Sequence, residues 1–428
     1  MSSGAAEARA EAKAGAVAAG GSGLPGYALF AGLLAMAGLP IYIHAPKFYV
    51  DEYGVSLAAL GVALLVLRSI DFVQDPALGW LAAATRRHRA AAVALATAVM
   101  AASMLGLFAA APPVAPLIWF GLTLAALFSA FSFLTIAFYA QGVAKAASLG
   151  ARGHVRLATW RETGALIGVC LAAMAPTVLA VGTEAPFALF AVLFAALCGA
   201  AVLGMRGEWQ PVAPDTSGAS GFGVVLRDAT ARRLLVIAFL NAAPVAVTSS
   251  LFLFFVESRL AAPGWEGPLL LLFFVAAAVA APLWGRAAQR HGAKRMLLLG
   301  MTLSIVSFAF AALLGPGDIL PFALVCLASG AALGADLTLL SAIFARRMER
   351  VAPDASRGFG LWAFTTKATL AVSAGVVLPV LGASGFVSGS PANTEAALAT
   401  LTFLYALLPC GLKLAALALL AATRLEEN

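Results

Sequence analysis

"LRSIDFVQDPALGW", residues 67–80, places an arginine and two aspartates inside a run otherwise suited to hydrocarbon. An ionised side chain at mid-membrane costs at least about 2.5–3.5 kcal/mol on insertion scales, so such residues face a bundle interior with a partner or an ion. Arg68, Asp71 and Asp75 follow i, i+3, i+7 spacing, which sets all three along one helical face. Arg68 and Asp71 are spaced to pair, and Asp75 stands one turn further on. Two carboxylates a turn apart offer hard oxygen ligands to Na⁺, Li⁺ or H₃O⁺, or can trade a proton. Pro76 follows at once, removing a backbone N–H and freeing a carbonyl for the same site. The competing reading is a structural salt-bridge cluster, but a self-neutralising pair needs no second acid.

The whole chain is as apolar as this stretch. Of its 428 residues, 62% are hydrophobic and 11% charged, too few polar groups to cover a soluble core. The net charge of +7 is explained by basic loops on one side of a membrane, and nucleic-acid binding is not expected. Cys170, Cys198, Cys326 and Cys410 sit in apolar stretches without CxxC spacing, so neither a disulfide framework nor a zinc site is implied.

A helix needs about 20 apolar residues to cross the hydrocarbon core. Such segments fall at 26–49, 57–82, 91–111, 116–144, 157–181, 186–205, 232–256, 267–288, 295–314, 319–344, 358–383 and 396–422. The fold class expected is therefore an all-α polytopic membrane protein, about twelve transmembrane helices in two pseudo-symmetric six-helix bundles. Its divisions are a flexible cytoplasmic tail (1–24), an N-terminal bundle (25–205), a central cytoplasmic loop (206–231), a C-terminal bundle (232–422) and a short cytoplasmic tail (423–428). The basic loops "TRRHR" (85–89), "KAASLGARGHVR" (145–156), "RRL" (232–234), "RAAQRHGAKR" (286–295) and "RRMER" (346–350) fall on every second connection. By the positive-inside rule, that alternation puts both termini in the cytoplasm and the protein in the cell membrane. "GWLAAATRRHRAAAVALA" (79–96) and "GRAAQRHGAKRMLLLG" (285–300) each run from a glycine through a basic loop into the next helix, at matching places in the two halves.

Further polar residues sit where lipid is expected. Lys367 lies well inside the eleventh span beside Thr365 and Thr366, and Asp336 lies inside the tenth. One cation facing two or three carboxylates makes a network whose pairing can change with ion binding; alternatively, Lys367 and Asp336 pair with each other and do nothing else. Lys413 is expected to snorkel from the last span to the interface. Tyr139 and Gln141 end the fourth span and are candidates to line a cavity, whereas Arg161 beside Glu162 opens the fifth.

These stretches carry a resemblance. "RSIDFVQDPALGWL" (68–81) resembles the second-helix signature R-x-x-D-x-x-x-D-P-x-x-G-x of the glycoside-pentoside-hexuronide:cation symporters, the melibiose-permease-like branch of the major facilitator superfamily. "FYVDEYGVSLAALG" (48–61), "TWRETG" (159–164) and "RGFGLWAFTTKATLA" (357–371) resemble further family elements, and Gly79 with Arg86 and Arg87, then Gly285 with Arg290, Lys294 and Arg295, resemble the superfamily's loop motif. The resemblance implies the major facilitator fold, cation binding (Na⁺ or H⁺) by Asp71 and Asp75, a charge-network role for Lys367, and a substrate-side role for Arg161. The chain departs from galactoside carriers in having no acid in "GYALFAGLLAMAGLPIYI" (26–43) and in placing Thr135 where they have an acid in the fourth helix.

The function expected is a secondary transporter: a Na⁺- or H⁺-coupled symporter of a sugar or lysolipid-like amphipath, working by alternating access. It engages a small-molecule substrate, a coupling cation and the lipid bilayer, acts as a monomer and needs no cofactor. The alternative is a proton-driven exporter of hydrophobic compounds, with Asp336, Trp362 and Tyr139 in a greasy cavity. In a third class, a membrane protein without transport, the acids are structural locks. An enzyme is not expected, since no Ser/His/Asp, HExxH or P-loop pattern occurs.

Overall fold

The computed structural model describes residues 23–55, 57–150, 152–209, 222–351, 355–387 and 393–425. Most of the expected tail 1–24, much of the central loop 206–231 and the end of the tail 423–428 lie outside them. Every regular element among the described residues is helical. Among the described residues, nine helices are long and apolar enough to cross a bilayer. The second span, Leu57–Ala84, and the fifth, Gly153–Leu179, are 28 and 27 residues long and also exceed the crossing length. The first crossing differs from the unbroken 26–49 helix expected. It is two helices, Leu24–Met36 and Leu39–Tyr53, meeting at Gly38. Pro40 has no N–H to continue the first ladder, and Gly38 bears no side chain to obstruct the bend. With these three, the described residues make twelve crossings.

The remaining spans are the third (Arg89–Phe108), fourth (Pro116–Ser148), sixth (Pro186–Gly204), seventh (Ala229–Phe254), eighth (Glu266–His291), ninth (Ala293–Ala311), tenth (Ile319–Ala335 continuing through Ser341–Val351), eleventh (Ser356–Ala383) and twelfth (Glu395–Thr402 continuing through Leu408–Ala422). Wide π turns interrupt the tenth at Asp336–Leu340 and the twelfth at Phe403–Leu407. An extra residue in one turn shifts the face on which every later side chain emerges.

Packing repeats between the halves. The first span lies on the fifth as the seventh lies on the eleventh; the second lies on the fourth as the eighth lies on the tenth; the third touches the fourth and sixth as the ninth touches the tenth and twelfth. The halves meet along two seams, second against eleventh and fifth against eighth. Both seams are tightest beside the two echoing loops. A Cβ on Gly79 would stand 3.1 Å from the Gly360 Cα, and one on Gly285 would fall 1.8 Å from the Thr159 hydroxyl oxygen. The repeated glycine therefore has a physical use in each half: it lets one bundle's backbone touch the other. Cross-half polar contacts reinforce this end, with His154 Nε2 2.6 Å from Glu349 Oε2 and an Arg89 guanidinium N–H donating to Ser356 Oγ at 3.5 Å.

Outside the membrane, Asp228 caps the seventh helix by accepting from the Ala231 N–H at 2.7 Å. It also accepts two bonds from the Arg347 guanidinium at the end of the tenth span, through Nε at 2.9 Å and through Nη2. Those bonds from Arg347 hold the Asp228 carboxyl below the usual carboxylate range.

Two outcomes are expected. Gly285→Val should pry the fifth–eighth seam apart, because Thr159 is itself tied to the Val155 carbonyl at 2.8 Å and cannot swing away without losing that bond. Thiol labelling of a cysteine placed in the central cavity, with reagent supplied from the basic-loop side, should rise; unchanged labelling would refute the role given to the seam. A carboxyl with a lowered pKa stabilises the fold above its unfolded pKa and loses that contribution as pH falls through the folded value. Asp228→Asn should accordingly lower the thermal unfolding midpoint at neutral pH and have little effect in strong acid.

Candidate functional site

The second span presents Asp71 and Asp75 on one face, as the spacing requires, and that face meets the fourth and eleventh spans. Asp75 is fully buried and Asp71 is 9% exposed. Lys367 reaches across from the eleventh span: its Nζ donates to Asp71 Oδ1 at 2.7 Å and to Asp75 Oδ1 at 3.1 Å. Ser132 of the fourth span joins them, its hydroxyl 2.5 Å from the lysine Nζ and donating to Asp71 Oδ1 at 3.0 Å. The Phe131 ring lies 6.0 Å from the ammonium, at the outer range of a cation–π contact.

Among the described side chains, one ammonium faces two carboxylates, so with both acids ionised these three groups carry a net negative charge in a medium where charge is costly. Asp75 Oδ2 has no hydrogen-bond partner, although it is buried. A proton on that oxygen, or a small cation taking the lysine's place among Asp71, Asp75 and Ser132, would cure both defects. Hard monovalent cations suit such an oxygen set. No group of three or more His, Cys, Asp and Glu suited to a metal ion occurs among the described residues.

Beside the cluster lies a cavity of about 310 Å³. Asp71 and Lys367 form its charged edge, Thr135, Tyr139 and Thr366 add polar groups, and Phe131, Phe359 and Trp362 supply aromatic wall. Gly38, at the break in the first span, completes the lining, so the bend in that helix sits at the cavity. The Thr135 hydroxyl is buried and has no partner.

Other sequence candidates stand elsewhere. Gln141 accepts from an Arg89 guanidinium N–H at 2.9 Å and donates to the Glu208 carbonyl at 2.6 Å, in a polar network away from the cavity. The fourth span runs on to Ser148, and two residues separate Gln141 from Tyr139 by about 200° around the helix, so both cannot face the same space. Arg161 does not line the cavity either. It donates to Glu162 Oε1 and Ser341 Oγ, each at 2.8 Å, and lies 3.7 Å over the Tyr139 ring, whose hydroxyl donates to Glu162 at 3.0 Å. Asp336 does not pair with Lys367; it pairs with Lys413 of the twelfth span. Lys413 is 1% exposed and does not snorkel as expected. The Arg68 side chain lies outside the described residues.

Ser132 was not among the sequence candidates. The signal available was the run Ser129, Ser132, Thr135 at three-residue spacing in a very apolar helix. Ser129 donates to Gln74 at 3.0 Å, so Ser129 and Ser132 both face the second span, while Thr135 lines the cavity.

Comparisons with known proteins agree with this architecture. A bacterial homologue of the iron transporter ferroportin, crystallised in an outward-facing state, matches with a TM-score of 0.69 at 13% identity, covering 93% of this chain and 98% of that one. A variant of the E. coli fucose:proton symporter matches with a TM-score of 0.67 at 14% identity, covering 94% and 98%. The human organic anion transporter gives 0.60 at 17% identity, covering 92% and 98%. At these identities the likeness concerns the fold. No curated protein sequence matches the chain. The profile of the MFS/sugar transport protein family, however, matches residues 24–427, nearly the whole length, and this chain, a multi-pass membrane transporter and not an enzyme, belongs to that family.

Proposed function

We propose that the protein is a symporter in which Na⁺ or H⁺ binds at Asp71 and Asp75 and displaces Lys367, and that its substrate occupies the adjoining cavity. The observation that carries this reading is the single ammonium shared by two carboxylates from the other half, with Asp75 Oδ2 left unbonded. A cation arriving there releases Lys367 toward the cavity it already borders. The ammonium then becomes a donor for substrate oxygen. By linkage, substrate that favours the released lysine raises cation affinity by the same factor.

Two bodies, residues 25–205 and 232–422, rock about the seams in this scheme, and the basic end faces the cytoplasm of the cell membrane. The protein works as a monomer. Polar groups and aromatic rings share the cavity lining, which suits a solute with both hydroxyl-bearing or charged and apolar parts: a sugar derivative or a lysolipid-like amphipath. Asp71, Lys367, Thr135, Tyr139 and Trp362 are the substrate and coupling candidates. Arg161 and Gln141 act behind that wall, Arg161 by fixing Tyr139 and the contact to Ser341.

The apolar share of the lining also supports a second reading, a proton-driven exporter of hydrophobic compounds. Proteoliposome flux under an imposed Na⁺ gradient or an imposed pH gradient separates the two. Inward accumulation driven by either gradient supports symport; efflux driven by a pH gradient alone supports export.

Asp75→Asn should abolish uphill accumulation while equilibrium substrate binding survives in part, and full accumulation in that variant would sink the cation assignment. Lys367→Ala leaves two adjacent buried acids without their cation, a loss of about 3–5 kcal/mol for a broken buried pair. Either the protein loses thermal stability or the acids take up a proton, and in both cases turnover should fall at least about tenfold. Normal turnover in Lys367→Ala would remove the lysine from the mechanism.

A further inference from the structure

A second space, a groove of about 430 Å³, opens along the fifth–eighth seam, apart from the central cavity. Its walls are two facing helical stripes. Arg156, Trp160, Thr163 and Ile167 follow i, i+4, i+7, i+11 on the fifth span; Pro282, Arg286 and Gln289 follow i, i+4, i+7 on the eighth. The spans run in opposite directions here, so both stripes are graded alike. Each carries its arginine toward the basic end, and its less polar residues toward the middle of the membrane. Ile167 lies eleven positions beyond Arg156, about 16 Å deeper at 1.5 Å per residue.

Three features of the groove await a partner. Neither Arg156 nor Arg286 has a carboxylate partner among the described residues, whereas His154 nearby is matched by Glu349 and Arg347 by Asp228. The Thr163 hydroxyl, between the arginine level and Ile167, is buried without a hydrogen-bond partner. Trp160 and Ile167 are 42% and 48% exposed, on the outer surface where acyl chains run. From the interface inward, the groove thus offers a pair of cations, then an unused hydroxyl, then an apolar slot. An anionic glycerophospholipid presents the complementary series of phosphodiester, ester carbonyl and hydrocarbon chain.

We propose that this groove binds one anionic glycerophospholipid, with its phosphodiester bridging Arg156 and Arg286, an ester carbonyl accepting from Thr163, and an acyl chain lying over Trp160 and Ile167. Because Arg156 belongs to one half and Arg286 to the other, the lipid ties the two bundles together beside the Gly285–Thr159 contact. The site is independent of what the central cavity carries, and its test needs no transport.

The full-length protein is placed in nanodiscs of palmitoyl-oleoyl phosphatidylglycerol mixed equally with the corresponding phosphatidylcholine, and retained lipid is counted by native mass spectrometry after transfer to detergent. At about 1 kcal/mol per basic residue near the surface, two arginines should favour the anionic lipid roughly tenfold to thirtyfold, with one molecule held per chain. Arg156→Gln/Arg286→Gln should erase that preference. Equal retention of both lipids by the wild type, or an undiminished preference in the double variant, would overturn the site. A phosphatidylglycerol carrying a photoreactive group in its acyl chain provides a test on the unaltered protein. Labelling should fall on the peptides containing Trp160 and Ile167, and labelling confined to other spans would refute the placement. Displacement of the lipid by soluble glycerol phosphate at equal concentration would also refute it, since the apolar slot would then contribute nothing.

Discussion

One ammonium group shared by two carboxylates in a low-dielectric interior is the constraint on which the central architecture turns. Lys367 bonds one oxygen of each acid, Asp71 Oδ1 and Asp75 Oδ1, and the other oxygen of Asp75 stays buried without a partner. Such a cluster is a poor device for stability alone, because well-packed apolar residues of similar volume often hold helices at least as well. Its geometry explains surrounding choices. Ser132 supplies the short hydroxyl that bridges acid and lysine, and the break at Gly38 places a bend of the first span against the same space. The rings of Phe131, Phe359 and Trp362 share the cavity lining with Asp71, Lys367, Thr135, Tyr139 and Thr366.

Much of this was legible in the sequence, and for definite reasons. Helical period 3.6 fixes Asp71 and Asp75 on one face wherever the helix sits, so their convergence followed from spacing. The basic loops marked alternate connections because charge cannot be hidden there, and the two echoing glycines proved to sit where the bundles touch. That Lys367 would meet those aspartates, 296 and 292 positions away, was implied by resemblance and not by periodicity. Spacing within a helix carries no information about which other helix it meets.

Where structure and sequence differ, the cause is the same. Position near the end of the fourth span groups Gln141 with Tyr139, but the helix continues to Ser148 and about 200° of rotation separates the two side chains. Position in the last span suggests that Lys413 reaches the interface. The twelfth span continues nine residues past it to Ala422, roughly 14 Å of helix, which exceeds a lysine's reach. Its ammonium instead finds Asp336, whose position at the first residue of a π turn no pattern of apolar residues betrays. Ser132 does not stand out in the sequence, because a serine in an apolar helix ordinarily satisfies itself on its own backbone, as Ser307 and Ser329 do.

Lys367 and Lys413 show why location relative to the halves matters more than burial. Lys413 and Asp336 belong to the twelfth and tenth spans, inside one bundle, so their separation is unchanged when that bundle moves as a body. Such a pair fixes packing. Lys367 and its two acids lie on opposite sides of the second–eleventh seam, so any rocking of the bundles there must stretch or break their bonds. In the proposed scheme, an ion or proton that replaces the lysine would remove that electrostatic tie and lower the cost of parting the seam. The same chemical pairing would then be a strut in one place and a latch in the other, the difference lying in which helices carry the partners.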